Sequence, residues 1–321
     1  MPLTHTTDLF AKAVRGKYAL GAFNVDNMEV LQAVVEACEE EKAPVILQIS
    51  KGTRQYASAV YLKKLIEAAV STSNIPIAVH LDDGDSFDLC KECVDEGFTS
   101  VMMDGSHEPF EKNVEVCKRV VEYAHKHNCV VEGQLGLLVG ARREEAVEGG
   151  GYAKGGAHTH PEEAVLFVRS TGVDSLAVAI GNSHGAYKFK GEQRLDLDRL
   201  HAIRKALTDA GLGDYPLVLR GASSVPKDLV QEINKYGGKM GEDTAGVPET
   251  DIEIARRAGC AKVDMDTDLR LAVTAAIRNC FAENPKEFDS RKYLGPARAR
   301  VKDLVRHKVR DVLCCAGHAF D

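Results

Sequence analysis

Four short segments concentrate the residues that can do chemistry. His80-Leu81-Asp82-Asp83-Gly84-Asp85 sets an imidazole and three carboxylates within six positions. Such groups act as general acids and bases, or as ligands for a cation. Gly181-Asn182-Ser183-His184-Gly185, with Lys188 shortly after, sets another imidazole between glycines. Arg220-Gly221-Ala222-Ser223-Ser224 offers small residues beside a fixed cation. Its glycine and serines allow close backbone approach, and N–H groups ahead of a helix point outward as donors to phosphate. The fourth segment holds Asp264, Asp266, Thr267, Asp268 and Arg270, again ahead of a helix.

These segments need a scaffold that brings them to one place. Eight apolar runs rich in Val, Ile and Leu recur along the chain: Ala19–Val25, Pro44–Ser50, Pro76–Leu81, Ser100–Met103, Val130–Leu135, Ser175–Ile180, Pro216–Leu219 and Ala261–Asp266. Most are continuously apolar, as parallel strands buried on both faces are. Between them, Val30–Glu41, Tyr61–Ser71, Asp88–Glu96 and Phe110–His127 carry apolar residues at helical spacing. Eightfold strand–helix alternation predicts an α/β fold, a closed (β/α)₈ TIM barrel. An open doubly wound sheet fits less well, because no Gly-rich nucleotide fingerprint follows the first strand.

In such a barrel the loops after the strands carry function. Asn24 and Asp26 end the first strand and Ser50 and Lys51 the second; Asp104, Ser106 and His107 follow the fourth, and Glu132 and Gln134 the fifth. The four opening segments follow strands three, six, seven and eight. Helices are expected to start near Pro226 and over Arg270–Asn279, the latter with Thr267 or Asp268 as N-cap. Thr159-His160-Pro161-Glu162 reads as a capping box led by Thr159. Residues about 141–160, rich in Gly and charge, are expected to form a mobile loop over the site. Residues about 285–321 read as a C-terminal helical extension, making 1–321 one domain. Cys90 and Cys93 form C-x-x-C on a helix with no second pair, so core packing is expected.

Composition bounds the partners. The chain has 321 residues, 44% hydrophobic and 28% charged, with a formal net charge of −7. That balance argues against nucleic acid or an anionic membrane as a partner, and leaves room for a small anion. No apolar run approaches the roughly 18 residues a membrane span needs. The start, MPLTHTTDLFAKAV, lacks the apolar stretch of a signal peptide. Nine scattered Cys suit a reducing compartment, so a cytoplasmic protein with free thiols is expected.

HLDDGD, GNSHGAYKFKG, GASSVP and KVDMDTDLR, with AFNVDNME, MMDGSHEPFEKN and VEGQLG in order, resemble the signature segments of class II fructose-bisphosphate aldolases, from about Leu3 to Gly295. The resemblance implies a zinc ion on three His that polarises a ketose-phosphate carbonyl, and an Asp that handles the proton of the C4 hydroxyl. It implies Asp82 as that acid–base group and His184 as a retained zinc ligand. It places Asn24, Ser50, Gly185, Lys188, Gly221, Ser223, Asp264, Asp266, Thr267 and Arg270 on the substrate and phosphate side, and Asp104 near the metal. It also implies a phosphorylated sugar or other small anion as ligand, and a homodimer or homotetramer.

The departures fall on the chemistry. Asp83 and Arg220 stand where the family has zinc-binding His, Gln134 where it has Glu, and Asp264 where it has Asn. Catalytic zinc takes three protein ligands, and a guanidinium has no lone pair to give. Tight zinc binding is therefore expected to be lost, with no cofactor unless the ligand set is rebuilt. Arg220 is expected to fill the vacated position, paired with Asp83 and reaching Asp264. The first expectation for function is a non-catalytic homologue that keeps affinity for phosphorylated ligands or serves as a scaffold. The alternatives are an active aldolase cleaving fructose 1,6-bisphosphate, or a metal-independent enzyme with Arg220 as electrophile.

Overall fold

The computed structural model describes residues 3–138, 158–183, 194–241 and 244–321. Eight parallel strands close into one barrel in sequence order: β1 Leu20–Asn24, β2 Val45–Ser50, β3 Ile77–Gly84, β4 Ser100–Met103, β5 Val130–Leu135, β6 Ser175–Val178, β7 Leu217–Leu219 and β8 Cys260–Met265. Closure is direct, with Gly21 of β1 opposite Val263 of β8. All strand positions are buried except two, because helices cover the outside while side chains fill the inside. Each fully buried Phe or Ile, such as Phe23 and Ile46, contributes about 1.5–3 kcal/mol through the area withdrawn from water.

The predicted runs sit on the strands within two residues at nearly every end. The exception is informative. β3 runs on through Asp82 and Asp83 to Gly84, past the expected end at Leu81. Its pairing with β4 shifts register between Leu81 and Gly84, and Asp83 takes a left-handed φ of 56°. A bulge of this kind re-aims side chains at a barrel rim.

Two capping expectations fail. Thr159 does not cap the helix Pro161–Thr171; its hydroxyl donates to the Leu135 carbonyl and accepts from the Ala179 N–H. It ties the ends of β5 and β6 together instead. The helix expected over Arg270–Asn279 runs over Thr267–Glu283, and Asp268 lies inside it rather than capping it. The Asp268 carboxylate accepts from the N–H groups of Ser224 (3.0 Å) and Val225 (2.8 Å), bracing the loop after β7.

The C-terminal extension holds that brace. The helix Ser290–His307 packs on Met28–Glu40 and Thr267–Glu283. Just beyond it Lys308, buried, reaches Asp268 Oδ2 (3.0 Å), Glu249 Oε1 (2.6 Å) and Ser224 Oγ (2.7 Å). The expected mobile loop lies, except for its last three residues, outside the described residues. Cys90 and Cys93 are buried free thiols, and burial pushes Cys93 up to about 12 and Cys90 higher still.

Candidate active site

Inward positions alternate along a strand, so residues two apart share the barrel interior. On β8 those positions carry Lys262 and Asp264, on β5 Glu132 and Gln134, and on β3 His80 and Asp82. They meet across the barrel. Lys262 Nζ lies 3.0 Å from Glu132 Oε2, 3.0 Å from Asp264 Oδ1 and 3.2 Å from His80 Nε2. His80 Nδ1 is 2.7 Å from the Ser100 hydroxyl. Burial, then the Lys262 charge, holds His80 well below the usual imidazole range, so the ring is neutral. Burial alone would lower Lys262, but Asp264 and Glu132 outweigh it and keep the ammonium charged.

One layer further toward the strand ends sits Arg220, with no exposed surface. Its Nη2 contacts Asp83 Oδ1 closely and Asp82 Oδ1 at 3.1 Å. Nη1 is 3.5 Å from Asp104 Oδ2 and 3.4 Å from Gln134 Oε1, and Nε is 3.6 Å from Asp264 Oδ2. The pairing expected with Asp83 and Asp264 is present, and Asp82 and Asp104 join it. The Asp264 contacts are ionic rather than directed hydrogen bonds, since both its oxygens and Arg220 Nε lack a hydrogen-bond partner.

Five carboxylates thus face two cations: Asp82, Asp83, Asp104, Asp264 and Glu132 around Arg220 and Lys262. The surplus negative charge and burial together favour proton uptake by the cluster. Burial, opposed by Lys262, raises Asp264 to about 7, and burial raises Glu132 also. Burial opposes the charge on Arg220, but its carboxylate neighbours, Asp83 foremost, raise it well above its ordinary value.

Asp82 is held from two sides. Gln48 Nε2 donates to Asn24 Oδ1 (3.0 Å), and Asn24 Nδ2 donates to Asp82 Oδ2 (3.0 Å). With Arg220 on the other oxygen, the carboxylate has a fixed orientation. Gln134 is equally fixed, because its amide donates to the Gly136 carbonyl at 2.9 Å, which a Glu carboxylate cannot do. Asp104 accepts from the N–H (3.0 Å) and hydroxyl (2.6 Å) of Ser106.

The loops after β6, β7 and β8 meet beside this cluster. Gly221 has φ of 59°, and a Cβ there would stand 2.1 Å from the Ser183 carbonyl, so only glycine permits the approach. Asn182 donates to the Arg220 carbonyl at 2.9 Å. Ser223 Oγ accepts from the Asp266 N–H at 3.3 Å, joining the two expected phosphate loops. Thr267 opens the helix after β8, and Arg270 Nε pairs with Asp266 Oδ1 at 2.8 Å. The Ser50 hydroxyl accepts from the Thr53 N–H and caps the helix Lys51–Ala57. His184, Gly185 and Lys188 lie outside the described residues.

Sequence reasoning passed over Gln48, Lys262 and Lys308. The first two had a signal: each is a polar residue with apolar neighbours on both sides in a strand, at an inward position of a barrel. Lys308 had none, since its partners come from the loop after β7 and from two helices.

Of the two residues at positions where the resemblance implies zinc-binding His, Arg220 does not fit a dication, since it presents only donors and a positive charge, and Asp83 turns one of its carboxylate oxygens to Arg220.

The family model for class II fructose-bisphosphate aldolase matches residues 4–318. Over 336 aligned positions the chain is 45% identical to a fructose-bisphosphate aldolase of Treponema pallidum (strain Nichols), covering 99% of this chain and 98% of the relative. It is 47% identical over 322 positions to that of Giardia intestinalis (strain ATCC 50803 / WB clone C6), covering 100% and 96%. Among solved structures, the YdjI aldolase of Escherichia coli K12 superposes with a TM-score of 0.76 at 27% identity, covering 99% and 100%. Full-length relatives this similar, named as aldolases, overturn the expectation of a non-catalytic homologue or scaffold. The chain belongs to the class II fructose-bisphosphate aldolase family.

Proposed function

We propose that the protein is an active aldolase, a carbon–carbon lyase that cleaves fructose 1,6-bisphosphate to dihydroxyacetone phosphate and glyceraldehyde 3-phosphate, and runs the reverse condensation. The observation that carries the reading is full-length identity of 41–47% to relatives named as this enzyme, in a chain whose Asp82 is held ready for proton transfer. In this reading Asp82 takes the proton of the C4 hydroxyl. Asn24 and Gln48 fix its orientation, so little reorganisation accompanies the transfer. The loops Gly221–Ser223 and Asp266–Thr267 receive a phosphate through backbone N–H groups at the helix start, Arg270 adds charge for the distal phosphate, and Lys188 adds charge on the phosphate side. The family likeness extends the proposal to a cytoplasmic homodimer or homotetramer built on one barrel domain; among the described residues no helix is long and apolar enough to cross a membrane.

The test is a coupled assay that follows triose phosphate release from fructose 1,6-bisphosphate. Cleavage is expected in the native protein, and Asp82→Asn should lower kcat by about 10²–10⁴, the range for removing a general base. Absence of cleavage with and without added zinc, in a protein that melts cooperatively, would refute the proposal.

A further inference from the structure

We propose that the Arg220 guanidinium is the permanent cation of this active site, and that carbon–carbon cleavage here proceeds without a divalent metal. The inference rests on the aldolase reading and names the group that supplies the positive charge.

Three independent features of the site support it. The first is occupancy. Arg220 is wholly buried and lies within 3.6 Å of Asp82, Asp104, Asp264 and Gln134, besides its close contact with Asp83. A guanidinium in that volume excludes a dication twice, by bulk and by like charge, and it offers no lone pair in exchange.

The second is the chemistry of the neighbours. Asp83 and Asp264 are carboxyl groups turned toward the guanidinium, each where the resemblance implies a residue without a carboxyl group. Gln134 stands where the family has a carboxylate, yet its oxygen still accepts from Arg220 while its amide donates to Gly136. A group that presents five fixed donors needs acceptors around its plane; Gln134 accepts from Nη1, Asp82 and Asp83 accept from Nη2, and Asp264 faces Nε through charge alone. The third is backbone geometry. Asp83 holds φ at 56° within a strand, an unfavourable conformation for a non-glycine residue that its contact with Arg220 offsets.

The step balances without a further reactant. Asp82 takes the C4 hydroxyl proton, and the C4–O pair becomes the aldehyde carbonyl. The electrons of the C3–C4 bond move to C3 and onto the C2 oxygen, giving an enediolate whose charge lies in the field of Arg220. Return of the Asp82 proton to C3, directly or through a water, then yields dihydroxyacetone phosphate and restores the carboxylate. Nothing is oxidised or reduced.

The experiment uses the full chain, stripped with a strong chelator and checked for zinc by mass spectrometry, then assayed with fructose 1,6-bisphosphate with and without added zinc. The expected result is unchanged turnover in chelator and no gain from zinc. Arg220→Lys, which keeps the charge and so the fold, should lower kcat by about 10²–10³ because the fixed fork of donors is lost. Binding of a hydroxamate analogue of dihydroxyacetone phosphate, a strong zinc chelator, should be insensitive to added zinc by calorimetry. Turnover that disappears in chelator and returns with zinc would overturn the inference and leave the aldolase reading intact. So would zinc-dependent tightening of the hydroxamate. No cleavage under either condition would overturn the aldolase reading, and the inference with it.

Discussion

Replacing Arg220 with Ala removes the one cation shared by four carboxylates, and its cost can be worked from their burial. Asp82 and Asp264 are 7% and 6% exposed, so neither can turn to water when the guanidinium goes. Asp83, with 46% of its side chain exposed, can. Asp264 keeps Lys262 Nζ at 3.0 Å, so Asp82 sets the loss, and breaking a buried pair by deleting one partner costs about 3–5 kcal/mol. For 321 residues the unfolding entropy is about 0.7 kcal/mol per kelvin, so the melting temperature should fall by roughly 4–8 °C. The loss should shrink in acid, where protonated carboxylates no longer need a counter-charge. Urea titration of both proteins at about pH 7.5 and about pH 4.5 measures both effects. A loss below about 1 kcal/mol at the higher pH would mean that the stranded carboxylates find other partners, and the reasoning from burial would be wrong.

Two further outcomes follow from the same network. Asp264 titrates near 7 in the folded protein against about 3.9 when unfolded, so the folded state holds the proton more tightly. Its contribution is fully present below about pH 4 and is lost as the pH rises through 7, at most about 4 kcal/mol. Asp264→Asn should flatten the stability profile across that window; parallel profiles from urea melts would count against the raised carboxylate. Lys308→Met strands Asp268, which is buried but keeps its two backbone donors, so a loss near the low end of the buried-pair range, about 3 kcal/mol, is expected by calorimetry. A change under about 1 kcal/mol would show that those two N–H groups suffice.

The sequence determined the barrel. Eight largely apolar runs separated by helical periodicity leave few ways to bury both faces of each strand, and the closed parallel sheet is the one observed. It also determined which residues crowd the strand ends, because position at the end of a barrel strand follows from the alternation alone. Asp83 and Arg220 were legible as partners from opposite charge at related positions.

What the sequence left open was decided by distances between residues far apart in the chain. Asp82 and Asp104 joined the Arg220 cluster, and Lys262 linked Glu132, His80 and Asp264, only because inward positions of β3, β5 and β8 and the ends of β4 and β7 meet in the barrel. Spacing makes Asp268, with Thr267, a local cap candidate, but the Asp268 partners lie 43 and 44 residues away, on the loop after β7. Local spacing records which groups a strand presents; which of them share a proton, a cation or a phosphate depends on how the strands close around one another.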